Sequence, residues 1–145
     1  MLRLKSYVVI MKAVFAQVIN LDRSPERLNA IGADLAQVGL AWSRARAVEP
    51  KADYASTTQL YNRARANYFF GRDLTRGEVG CFLSHLAALR TLFESDCDIG
   101  LILEDDAQLQ RNTDQIISEI SATLDVKEPL WACVNLSYTT GLAPV

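Results

Sequence analysis

The sequence predicts an α/β protein with a Rossmann-like, mainly parallel sheet and helices on its faces. Three observations carry this expectation. Strand-like and helix-like patterns alternate along the 145 residues. Two of the helix starts carry strong N-terminal signals. An apolar, strand-like run, Ile99-Gly100-Leu101-Ile102-Leu103, ends in three consecutive carboxylates, Glu104, Asp105 and Asp106.

Composition sets the frame. Half of the residues are apolar and the mean hydropathy is +0.05, which suits one soluble globular domain able to bury roughly 68–70% of its unfolded surface. Fifteen basic residues against seventeen acidic ones leave a net charge of −2, so no strong field favours nucleic acid or an anionic membrane. Cys81, Cys97 and Cys133 are odd in number and form no CxxC pair. That pattern argues against a disulfide framework or a zinc knuckle and for reduced, buried, small-hydrophobe cysteines in a cytoplasmic protein. The run Tyr7-Val8-Val9-Ile10-Met11 is too short to span a membrane and is broken by Lys12. The pattern divides the chain into a dispensable extension over 1–12, a domain over 13–136 and a tail over 137–145.

Val14, Phe15, Val18 and Ile19 read as a first strand, followed by the polar turn Asn20-Leu21-Asp22-Arg23. Ser24 can cap a helix, Pro25 fits its first position, and Leu28, Ile31, Leu35 and Val38 repeat at helical spacing up to Gly39. The alternation around Trp42, Arg44 and Arg46 predicts a second, shorter strand ended by Pro50. Residues 51–73 lack clean periodicity and read as a short helix followed by a long surface loop that contacts substrate or acts as a lid. Thr75-Arg76-Gly77-Glu78 is a capping box that starts a helix, with Val79, Phe82, Leu86, Leu89 and Phe93 as its expected buried stripe. After the acid-tipped strand, a helix is expected from about Thr113, burying Ile116, Ile117, Ile120 and Leu124. A last strand is expected over Leu130 to Leu136.

Open α/β sheets bind ligands outside the carboxyl ends of their strands, where Glu104, Asp105 and Asp106 fall. Three adjacent carboxylates call for positive charge, most simply a divalent cation such as Mg2+ or Mn2+; the alternative is a solvated acidic turn. Glu104 and Asp106 fall on one side of an extended strand end and rank above Asp105 as ligands. Arg23 and Arg27, at a helix N-terminus, can clamp a diphosphate or else pair with Asp22 and Glu26. His85, the single histidine, can meet a substrate hydroxyl or phosphate or play a structural part. No GxGxxG follows the first strand and no Walker lysine motif is present.

Three stretches, Val18 to Arg27, Leu74 to His85 and Leu103 to Ala107, together resemble glycosyltransferase family 25, over roughly residues 13 to 136. This group includes bacterial lipopolysaccharide sugar transferases and collagen-type galactosyltransferases. The resemblance implies a nucleotide-sugar-dependent enzyme of the GT-A fold type, inverting at the anomeric carbon. It would move galactose or a related sugar from a UDP-sugar donor to a saccharide or lipid-linked saccharide acceptor. It implies that Asn20, Asp22, Arg23 and Arg27 lie near the nucleotide, that Ser84, His85 and Asp105 lie on the substrate, and that Glu104 and Asp106 hold Mn2+ or Mg2+ on the diphosphate. The implied setting is cytoplasmic or peripheral at the inner membrane face, without a transmembrane segment. Members of this type continue beyond the last expected strand, so the resemblance also implies an incomplete domain, without its acceptor-side base and prone to self-association or to binding a partner chain. The competing reading is a non-catalytic nucleotide-sugar-binding remnant.

Overall fold

A computed structural model describes residues 12–51 and 60–136, which fall into two compact units, one ending at Arg111 and one beginning at Asn112. The first holds β1 (Val14–Asn20), α1 (Pro25–Gln37), β2 (Ala41–Arg46), α2 (Arg63–Phe70), α3 (Arg76–Phe93) and β3 (Ile99–Glu104). The three strands form a parallel sheet in the order β2-β1-β3, giving the expected α/β architecture. As the central strand, β1 is buried continuously from Ala16 to Asn20, as a strand covered on both faces must be.

The two-residue period of β1 sends Ala16 and Val18 to one face, where they pack on Ile31 and Leu35 of α1. Leu101 and Leu103 lie beside them on β3, in register with Ala16 and Val18, and extend the same core. The opposite face carries α3. Gly100 lies on that face, and a Cβ there would stand 2.7 Å from Leu92 Cδ1, so the missing side chain lets α3 approach the sheet closely.

α1 follows its sequence pattern: Pro25 occupies the first turn, Ile31 and Leu35 are buried, and the helix stops before Gly39. Ser24 is the capping residue by position, but its hydroxyl makes no cap; its carbonyl instead accepts from Asn20 Nδ2 at 2.8 Å. The start of α3 is also as expected, with Glu78 N–H donating to Thr75 Oγ1 and Thr75 N–H donating to the Glu78 carboxylate.

The stripe expected along α3 is corrected. The buried residues are Val79, Gly80, Ser84, Ala88 and Leu92, whereas Phe82, Leu89 and Phe93 are exposed. The physical reason is distance: Gly80, Ser84 and Ala88 leave room for a close helix and Leu92 fits against the bare Gly100, while Phe82, Leu89 and Phe93 are turned away.

Residues 51–73 also differ from expectation. Residues 52–59, within the expected helix-and-loop segment, lie outside the described residues. The helix α2 comes late in the segment, capped by the Asn62 side chain at 2.9 Å from Arg65 N and ending at Gly71. The Tyr61 hydroxyl, Arg63 and Asn67 all contact the Asp73 carboxylate, so the connection to α3 is short and tied down. The expected extension and tail lie almost wholly outside the described residues.

In the second unit, α4 (Thr113–Lys127) has Ile117 buried and Ile116, Ile120 and Leu124 half-buried, as the periodicity predicts. The strand expected over Leu130 to Leu136 does not form among the described residues. Trp131 N donates to Glu128 O at 2.8 Å and its indole donates to Asp125 at 3.0 Å, so the chain turns back on the helix end instead of extending. The cysteines depart from the buried expectation as well: Cys81 and Cys133 are exposed and Cys97 is half-buried, all as free thiols. No helix among the described residues is long and apolar enough to cross a membrane.

Candidate functional site

The chain leaves β1 for β2 on one side while β3 pairs on the other, so the carboxyl ends of β1 and β3 flank a topological switch point, where open α/β sheets bind ligands. A cavity of about 320 Å3 opens there. Its walls are the first turn with Arg23 and Arg27, the loop from Ala47 to Pro50, the start of α3 with Arg76, Cys81 and His85, and the three acids. The stretches that carry the family resemblance thus converge on one crevice.

Strand alternation separates the acids. Glu104, on the α3 face, meets His85 Nε2 at 3.2 Å and Cys81 Sγ at 3.7 Å through the same oxygen, Oε1. Asp105 turns to the α1 side, where Arg27 Nη1 lies 3.0 Å from Oδ1 and Asn20 Nδ2 lies 2.7 Å from Oδ2. Asp106 joins Asp105 rather than Glu104, with its Oδ2 3.3 Å from Arg27 Nη2. One guanidinium therefore supplies the positive charge that two of the acids need.

Asn20 is buried and bonds both the first turn and the acidic turn, locking the ends of β1 and β3 together. Asp22 lies outside the crevice lining and is held by Arg44 at 2.6 Å and by Arg46, whose Nε is at 2.8 Å. The Arg46 and Arg44 guanidiniums keep its carboxyl below the usual range. Arg23 pairs with Glu49. Of the pairings open at the outset, then, neither arginine takes Asp22 or Glu26.

Ser84 is buried, with its hydroxyl accepting from Val48 N at 2.8 Å and donating to Gly80 O at 2.7 Å. Together with Gly80, whose Cβ would stand 2.6 Å from Val48 O, it clamps α3 onto the loop after β2. That clamp places Cys81 and His85, one helical turn apart, over the end of β3. Partial desolvation of the sulfur, with the Glu104 carboxylate alongside, pushes the Cys81 thiol above its ordinary pKa.

Two crevice residues escaped the sequence reading. Arg76, in the first turn of α3, has no ion-pair partner among the described residues. Its position directly after the capping threonine was the available signal. Cys81 was overlooked as a crevice ligand, although its four-residue spacing from His85 puts both on one helix face. Cys81, His85 and Glu104 offer one ligand atom each, all within 4.8 Å of one another, and could hold a metal ion.

Residues 13–141 match glycosyltransferase family 25 (LPS biosynthesis protein). The chain belongs to that family. It is 25% identical over 123 residues to procollagen galactosyltransferase 2 of Mus musculus, an alignment covering 82% of this chain and 20% of the relative. Procollagen galactosyltransferase 1-B of Xenopus laevis is 27% identical over the same coverage. Procollagen galactosyltransferase 1 of Danio rerio is 30% identical over 64% of this chain and 16% of its own length. This family-25 chain thus spans about a fifth of the curated relatives it matches. No solved structure matches it significantly.

Proposed function

We propose that the chain binds a nucleoside-diphosphate sugar in the crevice and serves glycosyl transfer, from a UDP-sugar to a saccharide or lipid-linked saccharide acceptor in surface-glycan synthesis. The observation that carries this reading is the convergence of Arg23, Arg27 and Arg76 on one cavity at the carboxyl ends of β1 and β3. The relatives' names support galactose as the sugar, and the family description, LPS biosynthesis protein, supports a glycan acceptor.

In such a transfer an acceptor hydroxyl oxygen attacks the anomeric carbon, the bond from that carbon to the diphosphate oxygen breaks, UDP leaves with the electron pair, and the hydroxyl proton passes to solvent. The charge growing on the diphosphate is what the arginines would meet. Arg76, without a carboxylate partner among the described residues, would engage it directly. Arg27 would exchange Asp106 for a phosphate oxygen while Asn20 keeps Asp105 in place.

Mg2+ or Mn2+ held by Glu104 and Asp106 does not fit the side chains as folded. The two carboxylates turn to different partners, one to Cys81 and His85 and the other to Arg27, and no all-oxygen set gathers between them.

Calorimetry with UDP and UDP-galactose tests the binding step, and UDP release with and without lipopolysaccharide-derived acceptors tests the transfer. Binding of UDP that is weakened in Arg76→Ala is the expected result; a folded chain with no affinity for UDP would overturn the reading. The second reading, a non-catalytic module that docks on a partner, is favoured by the exposed row Phe82, Leu89 and Phe93 along α3. Concentration-dependent sedimentation without acceptor-dependent UDP release would support it.

A further inference from the structure

We propose that Cys81, His85 and Glu104 form a three-ligand site for a borderline divalent transition metal of the zinc class, with its fourth position open to the crevice. The proposal does not depend on nucleotide binding. Three observations converge on it.

The first is spacing. A tetrahedral zinc with Zn–N of about 2.0–2.1 Å, Zn–S of about 2.3 Å and Zn–O of about 2.0–2.2 Å has ligand-to-ligand edges of roughly 3.4–3.6 Å. The two edges seen here are 3.2 Å from His85 Nε2 to Glu104 Oε1 and 3.7 Å from Cys81 Sγ to the same oxygen. The third edge lies within 4.8 Å, so rotation of the side-chain tips would seat an ion between the three atoms.

The second is construction. Two ligands come from one turn of α3, and that turn is fixed by the Ser84 clamp and by the close approach at Gly80. The third ligand ends a strand paired to the centre of the sheet. Rigid elements hold all three, which lowers the ordering cost of binding.

The third is donor chemistry. Sulfur, imidazole nitrogen and a single carboxylate oxygen suit zinc or cobalt and suit magnesium poorly, because magnesium demands near-octahedral oxygen ligation. All three residues line the cavity, so water or an oxygen of a crevice ligand can complete the shell, which is the open pattern of non-structural zinc sites. The competing explanation is that the thiol and the imidazole simply hydrogen-bond Glu104.

The test uses the full chain, reduced and stripped with a chelator, with Co2+ as the spectroscopic probe. One equivalent of Co2+ is expected to bring up thiolate-to-cobalt absorption in the near ultraviolet. Equimolar Zn2+ should bleach it and a large excess of Mg2+ should not. The band should vanish in Cys81→Ser and persist in a variant with both Cys97→Ser and Cys133→Ser. His85→Gln and Glu104→Gln should lower Co2+ affinity by more than the roughly 10–100-fold that loss of an outer-shell partner costs. Circular dichroism confirms that each variant is folded; if Cys81→Ser is not, the two glutamine variants decide the matter. Absence of the band in the folded chain, its survival in Cys81→Ser, unchanged affinity in both glutamine variants, or displacement by Mg2+ would each overturn the site.

Discussion

The two faces of the sheet treat adjacent carboxylates in different ways. On the α1 side, Asp105 and Asp106 are held by the fixed charge of Arg27 and the buried amide of Asn20. On the α3 side, among the described residues, the Glu104 carboxylate meets a thiol and an imidazole. Three consecutive acids therefore do not act as one cluster. Strand alternation parts Glu104 from Asp105, and the turn after β3 brings Asp106 to the side of Asp105, which leaves a locked pair and a single carboxylate.

The packing beneath the two sides differs in the same sense. α1 fills its face with large side chains and α3 lies close on small ones, so a cavity breaks one and extra bulk breaks the other. Leu35→Ala, at a fully buried position, should cost about 2–5 kcal/mol. Gly80→Ala should cost about 1–3 kcal/mol by overpacking against Val48 O, and it should also displace Cys81 and weaken metal binding. Urea denaturation of both variants, with Co2+ titration of the second, checks this contrast. Loss of Co2+ affinity in Leu35→Ala but not in Gly80→Ala would reverse the assignment of faces.

The arginines sharpen the comparison further. Arg76→Ala should weaken UDP binding by roughly tenfold to a hundredfold, the loss of a charge-assisted contact, with no change in melting temperature. Arg27→Ala should weaken UDP binding and also lower stability, because Asp105, whose side chain is 9% exposed, would keep only Asn20 as a partner among the described residues. Equal melting temperatures for the two variants would show that Arg27 is not needed to neutralise the acidic turn.

How much of this could be read from the residues depended on range. α1 was legible because its large apolar residues, its proline and its terminal glycine all follow from local preference and one-sided burial. The Thr75–Glu78 box was legible for the same reason. The stripe of α3 was not, since a periodic row of large apolar residues marks a helix face without saying which face meets the sheet. The small residues Gly80, Ser84 and Ala88 have the same period, and the close approach at Gly100 decided for them. In the site, Glu104 and Asp105 separated as alternation predicts, while Asp106 followed the turn after β3 and not the strand. The contacts of Arg27 with Asp105 and of Asp22 with Arg44 join residues far apart in sequence, and no local spacing encodes them.

The smallest expected effect concerns the N-terminus of α3, which carries Arg76, Cys81 and His85 to the crevice; α1 has no comparable side-chain cap. Removing the cap hydroxyl by Thr75→Ala should cost about 1 kcal/mol. The Arg72 guanidinium, the Thr75 backbone N–H and the Thr75 hydroxyl together lower the Glu78 carboxyl from 4.5 to about 2. A carboxyl depressed in the folded state stabilises it fully above its unfolded pKa and ceases to do so as pH falls through the folded value. The difference in urea midpoint between the wild-type chain and Glu78→Gln should therefore be constant above about pH 5, shrink between about pH 4.5 and 2, and vanish below. Because Glu78 is solvent-exposed, added salt should shrink the difference at neutral pH as well. A difference independent of both pH and salt would mean that Glu78 acts through side-chain packing alone, and the charged lock at the start of α3 would have to be abandoned.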